Sequence, residues 1–385
     1  MTANVLAGGN APRSRAPATP RRPATALGEI VDRQSAAAPL SAIEWYGHKP
    51  LHRRATRARG PVRQTVAITE LGEHRSGGRS SEASLLRMLR CVGSRRSARF
   101  AGGGLLSVGG YDAANGARVL CVPYVVGREG DGMGAGPLAL AEPAATALGT
   151  KDVRRIALTE PRTTEVAACF DLNRRLAAEV AAARADGVLP VVLTGNCHSQ
   201  HAVVAGLGTD DVGLVWLDCH GDFNTPETTE SGYFDGYALA MVVGDCWRTL
   251  CATVPGCAAL PEDRVILAGV RDVEAGERER LDRSAIDRIA AQDIGRLPER
   301  LDRLQATRVS LHIDLDVLDP AHGRANAFAR PTGISPAELI DAARAVARNH
   351  ELAALTLSAY DPSCDVDGRV RDVAVAVLSA IAGTR

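Results

Sequence analysis

Two apolar runs in this chain stop abruptly on acids. Residues 214–224 read Leu-Val-Trp-Leu-Asp-Cys-His-Gly-Asp-Phe-Asn, so Asp218, His220, Asp222 and Asn224 fall at alternate positions. A strand turns successive side chains to opposite faces, which puts Asp218 and His220 on one side and Leu217 and Cys219 on the other. Asp222 joins the first set if the backbone stays extended. Residues 309–320 read Val-Ser-Leu-His-Ile-Asp-Leu-Asp-Val-Leu-Asp-Pro and repeat the device, with Asp314 and Asp316 on one face. Carboxylates this close raise each other's pKa unless a cation lies between them. A carboxylate-rich set with one or two nitrogen ligands suits divalent manganese, with zinc or iron next.

The chain of 385 residues, 45% hydrophobic and 23% charged, has the bulk for a full core. No apolar run approaches the roughly 18 residues of a membrane span, so no membrane partner is expected. A formal charge of zero hides an asymmetry: residues 1–100 carry 18 Arg or Lys against 6 Asp or Glu, and the rest of the chain carries the compensating acids. Residues 1–116 are rich in Arg, Ala and Pro and poor in periodic apolar positions, and a disordered leader is expected there. Its basic stretch, Arg53 to Arg63, lacks interleaved aromatics, so nucleic acid is not an expected partner. Nine scattered cysteines argue for reduced thiols in a cytoplasmic protein.

From residue 117 the pattern alternates. Apolar strands are expected over 118–126, 188–193, 212–217, 264–270, 309–315 and 352–357, and helices over 171–185 and 370–381. A further helix starts at Ser335-Pro336-Ala337-Glu338, a capping box with Pro at the first helical position. Such alternation predicts an α/β fold with a mainly parallel sheet covered on both faces and ligands beyond the carboxyl ends of the strands. Three strands end in candidate ligands, the third in Thr194-Gly195-Asn196-Cys197-His198-Ser199.

These residues resemble a known family. Asp218-Cys219-His220-Gly221-Asp222-Phe223-Asn224 is similar to the D-x-H-x-D-x-N signature of the arginase and agmatinase (ureohydrolase) superfamily, and Asp314-Leu315-Asp316-Val317-Leu318-Asp319-Pro320 to its D-x-D-x-x-D-P signature. The run 225–232 resembles the substrate loop after the first motif, and Gly132–Pro137 the glycine-rich segment after the first strand. The resemblance implies a three-layer arginase-type catalytic domain over 117–385 and a homo-oligomer. It also implies two manganese ions, with Asp218 and Asp314 bridging both, Asp222 completing one site, and His220 with Asp316 the other. A water between two cations loses a proton readily and attacks a guanidinium-like carbon, and Asp222 would pass the proton to the departing nitrogen. Asn224 and Ser231 fall where arginases hold the amino-acid end of the substrate, and Asp235 where they carry a proton-shuttling His; an Asp there can relay protons or equally suit a cationic substrate.

The sequence departs from the pattern at three places. Cys197 stands at a metal-ligand position where ureohydrolases have His, with His198 one residue beyond as the alternative, and Asn196 replaces the usual Asp. A thiolate biases that site towards zinc or iron. Such a Cys is shared with the hydroxyarginine amidinohydrolases, the nearest-looking subgroup. Ala359, in Ser358-Ala359-Tyr360-Asp361-Pro362, stands where arginine- and agmatine-hydrolysing relatives carry a guanidinium-anchoring Glu. The expected activity is therefore metal-dependent hydrolysis of a linear C–N bond in a guanidino or amidino small molecule by an enzyme that is not a typical arginase. A metal-retaining but impaired family member that binds a small molecule or protein is the rival, and a single-zinc amide hydrolase of the deacetylase kind is a third reading.

Overall fold

The computed structural model describes residues 116–384. The expectation of a disordered leader falls almost wholly on residues 1–115, which lie outside them. The chain opens with β1 (Ala117–Val122), a hairpin of β2 (Tyr124–Val125) and β3 (Arg128–Glu129), then α1 (Gly136–Leu148) and β4 (Val153–Arg155). It continues through α2 (Glu165–Ala185), β5 (Leu189–Thr194), α3 (Ser199–Leu207), β6 (Val212–Leu217), α4 (Ala238–Val242), α5 (Arg248–Cys251) and β7 (Val265–Ala268). The remainder comprises α6 (Ala275–Arg283), β8 (Asp287–Ile289), α7 (Leu297–Leu301), β9 (Arg308–Asp314), α8 (Pro336–Asn349), β10 (Glu351–Ser358) and α9 (Arg369–Ala382).

Eight strands form one parallel sheet in the order β4-β1-β5-β10-β9-β6-β7-β8. The chain passes from β5 to β6 leaving room for two strands, which β10 and β9 later fill. All eight strands run parallel, so the carboxyl ends of the four central strands lie along one edge of the sheet, where such folds bind ligands. Alternate residues feed two cores. Val215, Leu217, Leu311, Ile313, Leu355 and Leu357 pack with α1, α7, α8 and α9, while Leu214, Trp216, Val192 and Ala354 pack with α2, α3 and α4.

Local chemistry explains where the elements begin and end. The first strand stops at Val122 because Pro123 offers no N–H, and the chain beyond it pairs with β3 instead. Helix α2 starts six residues before its apolar periodicity because Thr164 caps it, its hydroxyl accepting the Ala167 N–H at 3.2 Å. The capping box at α8 forms as expected, Ser335 with Glu338. Edge strands β4 and β8 are short and carry arginines, which discourages pairing with another sheet. The glycine cluster is a close approach rather than a loose turn: a Cβ on Gly136 would collide with the Tyr360 carbonyl, and one on Gly195 with the Tyr124 carbonyl. No described helix is long and apolar enough to cross a membrane.

Candidate metal centre

On β6, Trp216 faces the α2–α4 side, and Asp218, one pleat further on, emerges on that side. Trp216 Nε1–H donates to Asp218 Oδ2 at 2.9 Å, and the His220 N–H to Asp218 Oδ1 at 2.7 Å. Strand β9 places Ser310, His312 and Asp314 on the same side, all fully buried. The strand ends at Asp314, whose Oδ1 accepts the Asp316 N–H at 2.8 Å and starts a 3-10 turn over 315–317, so Asp316 reaches the site by a turn rather than by strand alternation. Asp222 also departs from extension. Its φ of 50° is left-handed, and its carbonyl accepts the N–H groups of Leu239 and Ala240, but its carboxyl is buried in the field of Asp218 and Asp235.

Two compact donor sets result. One ligand atom each from Asp218, Cys219, His220 and Asp316 lie within 4.8 Å of one another, as do atoms from Cys197, Asp218 and His312. Asp218 belongs to both sets, which is the placement a bridging carboxylate needs. Cys197 Sγ lies 3.0 Å from Asp314 Oδ2. The neighbouring His198 turns away: its ring meets Phe234 edge-on at 5.4 Å in the core. Cys197 and not His198 therefore faces the carboxylates.

The electrostatics are those of crowded acids out of water. Burial, reinforced by their mutual repulsion, raises Asp314 and Asp222 well above the usual carboxylate range and raises Asp218 as well. Burial also pushes the Cys197 thiol up, helped by Asp314 and Asp222. Burial disfavours the His220 imidazolium, yet Asp316 and Asp218 carry it up to about 9. Asp316 in turn is drawn below its ordinary value: burial pushes it up, but His220 and the hydrogen bonds it accepts outweigh that. A divalent cation placed among these groups would favour their ionised forms.

The surrounding residues are tied to this centre. Asp235 is buried in the turn after the first motif, and both its oxygens are engaged: Oδ2 by the Cys197 N–H at 3.0 Å and the Asn196 amide at 2.7 Å, Oδ1 by the His198 N–H at 2.8 Å. These contacts hold the Cys197 turn. Asn196 Oδ1 accepts the Val126 N–H, so the Asn at this position also serves the turn. Asn224 is buried with its side chain shared between Thr228 and Glu274, whereas Ser231 is exposed on the loop, its N–H donating to Glu274 Oε1 at 3.2 Å.

Four contributors were not read from the sequence. Glu274 gathers Asn224 and the N–H groups of Glu230 and Ser231. Glu277, pushed by burial up to about 7, accepts the Phe223 N–H at 2.7 Å beneath the first motif. Asn326 donates to Asp316 Oδ2 and to the Ala359 carbonyl, linking the second motif to the segment after β10. Arg271 donates to the carbonyls of Gly269, Asp316, Leu318 and Arg330, pinning the loops after β7 and β9. The run 271–277 holds three charged members of this set, but acids spaced three apart before a helix look like an ordinary capping box, which Glu274 and Glu277 also form.

Residues 117–383 match the Arginase family. The chain belongs to the arginase family. It is 25% identical over 225 residues to an arginase of Staphylococcus aureus, covering 56% of this chain and 74% of that one. It is 32% identical over 153 residues to the N(omega)-hydroxy-L-arginine amidinohydrolase of Streptomyces lavendulae, covering 39% of this chain and 53% of that protein. The solved structure of arginase from Bacillus subtilis superposes with a TM-score of 0.62 at 25% identity, over 70% of this chain and 98% of that one. The mainly parallel sheet with helices on both faces is thus the arginase fold.

Proposed function

We propose that this arginase-family protein hydrolyses a linear C–N bond of a guanidine-like or amidine-like small molecule, releasing urea or a related amide, and that residues 117–385 form the catalytic domain. The observation that carries the reading is Asp218 standing in two donor sets at once, one with Cys197 and one with His220 and Asp316. The donors fit two divalent cations: buried carboxylates raised by burial and repulsion relax once positive charge is placed among them. Asp218 and Asp314 would bridge the ions, Cys197 and Asp222 would serve one, and His220 and Asp316 the other. Manganese suits the carboxylate side, and zinc or iron the thiolate side. Such a pair supplies an activated water and charge to polarise the substrate.

The chain's own residues do the rest. Asp222 holds and delivers the proton to the departing nitrogen. Asp235 fixes the turn that aims Cys197. Ser231, exposed beside Glu274, and the buried Asn224 line the approach to the polar end of the substrate. Ala359 is buried and offers no carboxylate to a guanidinium, which favours a less basic substrate than arginine, such as an N-hydroxyguanidine or formimino compound. The protein is proposed to work in the cytoplasm as a homo-oligomer.

The test is metal analysis of the purified protein followed by urea and hydroxyurea release from a panel of guanidino and formimino compounds. Two metals per chain with release from one of them supports the reading. One metal per chain removes the binuclear mechanism, and two metals with no release from any compound leaves a binding module.

A further inference from the structure

His312 stands in the second donor set, but the two-metal reading gives it no role. It lies two residues before Asp314 on β9, on the same face, and is fully buried. Its ring lies against Trp216 at 3.9 Å between centroids, and Trp216 also donates to Asp218. Its Nε2 lies 3.3 Å from Ser358 Oγ, which lies 3.2 Å from Cys197 Sγ, while its Nδ1 has no hydrogen-bond partner. A buried ring nitrogen left unpaired needs an explanation, because such a group loses its water without compensation.

From this placement we infer that His312 is a ligand of the metal on the Cys197 side, completing a Cys197–Asp218–His312 set that selects zinc there, while the Asp218–His220–Asp316 side takes manganese. The inference rests on the two-metal reading above. Distances allow it. Zinc binds sulfur at about 2.3 Å and imidazole nitrogen at about 2.0 Å, so in tetrahedral geometry two such donors stand roughly 3.5 Å apart. The three donors already lie within 4.8 Å of one another, so the closure needed is at most about 1 Å. His312 would add an imidazole nitrogen to the Cys197 sulfur beside the carboxylates of that side, and a sulfur and a nitrogen donor together favour zinc over manganese, which prefers oxygen. The Trp216 face and Ser358 hydroxyl hold the ring in place, as outer-shell partners of metal-bound histidines do.

The test uses the full chain, stripped with chelator and titrated with zinc, manganese and cobalt. The expected result for the unaltered protein is one tightly held zinc and one manganese per chain. His312→Asn should weaken zinc by more than the ten- to hundredfold that outer-shell changes cost, leave manganese binding in place, and alter the visible bands of the cobalt-loaded protein. His312→Cys should restore zinc affinity, which a core residue's replacement would not do. Unchanged zinc affinity and unchanged cobalt bands in His312→Asn, with Cys197→Ala losing both, would overturn the role of His312 and leave the two-metal centre intact. If His312→Asn does not fold, failure of folded His312→Cys to hold zinc overturns it equally. Absence of any tightly bound metal in the unaltered protein would instead bring down the two-metal reading itself.

Discussion

Asp235→Ala separates an anchoring role from a proton relay. In the structure Asp235 accepts the Cys197 and His198 N–H groups at 3.0 and 2.8 Å and the Asn196 amide at 2.7 Å. The carboxylate and the groups around it are buried. Truncation leaves two backbone donors and one amide without an acceptor, at about 1–3 kcal/mol each. Water entering the space recovers part of that, so about 3–5 kcal/mol of destabilisation of the metal-free protein is expected, among the larger effects of a single change. Loss of aim at Cys197 should weaken metal at that side by about ten- to hundredfold, the cost of disturbing an outer-shell contact. Denaturant unfolding with chelator present measures the first quantity, and zinc titration of the folded variant the second. A variant with unaltered stability and metal affinity, whose only change is a lost limb in the pH–rate profile, would refute the anchoring argument and restore the relay.

Asp218→Ala should empty both metal sites, since the side chain belongs to both donor sets; retention of two metals per chain by elemental analysis counts against the bridge. Cys197→His should shift occupancy of that side towards manganese when the two metals compete, because the soft donor is gone; an unchanged zinc preference would mean that the thiolate does not set it. Arginine should be a poor substrate, and Ala359→Glu should raise its hydrolysis, because a missing ionic partner for a charged group costs about 2–5 kcal/mol; rapid urea release from arginine by the unaltered protein would show that another carboxylate anchors the guanidinium. Asp171, buried on α2, is opposed by burial but held below the usual carboxylate range by Arg162, Arg175 and Arg174. Its contribution is present above the unfolded value of about 3.9 and fades as pH falls through the lower folded one. Asp171→Asn should therefore cost about 1 kcal/mol near pH 7, with melting curves that converge with the parent in acid; a constant gap across that range would contradict the ion-pair account.

The legible parts of this protein were those written locally. Val212–Leu217 and Arg308–Asp314 are continuous apolar runs that stop at charge, and periodicity alone marks both the strands and the fact that something lies at their ends. Cap chemistry placed α8 for the same reason. The sheet order was not legible, because nothing in β10 says that it will lie between β5 and β9. Strands β4 and β8 escaped notice because three residues bearing arginines carry no alternation to detect. The site divides along the same line. Asp218, His220, Asp314 and Asp316 announce themselves by spacing, while the partners that hold them lie far off in sequence: Asp235 is 38 residues from Cys197, and Asn326 is 33 from Ala359. His312 reads as one more core residue on an apolar strand until Cys197 and Asp218 are seen beside it.

The distribution of charge gives the reason a cation belongs in this fold. Asp218, Asp222, Asp314 and Asp316 are buried together, and Glu277 lies close beneath them. The guanidinium of Arg271, which is near enough to help, donates instead to the backbone carbonyls of Gly269, Asp316, Leu318 and Arg330. Among the described side chains, His220 is the titratable group that Asp218 and Asp316 carry into its charged form, and one imidazolium does not balance four carboxylates. Burial and mutual repulsion raise Asp218, Asp222 and Asp314, so ionising the set is costly without a counter-charge. Divalent ions held there would offset that cost, and metal binding would then be linked to fold stability. Packing alone gives no reason to keep these acids buried together at the ends of β6 and β9, whereas a bound cation does.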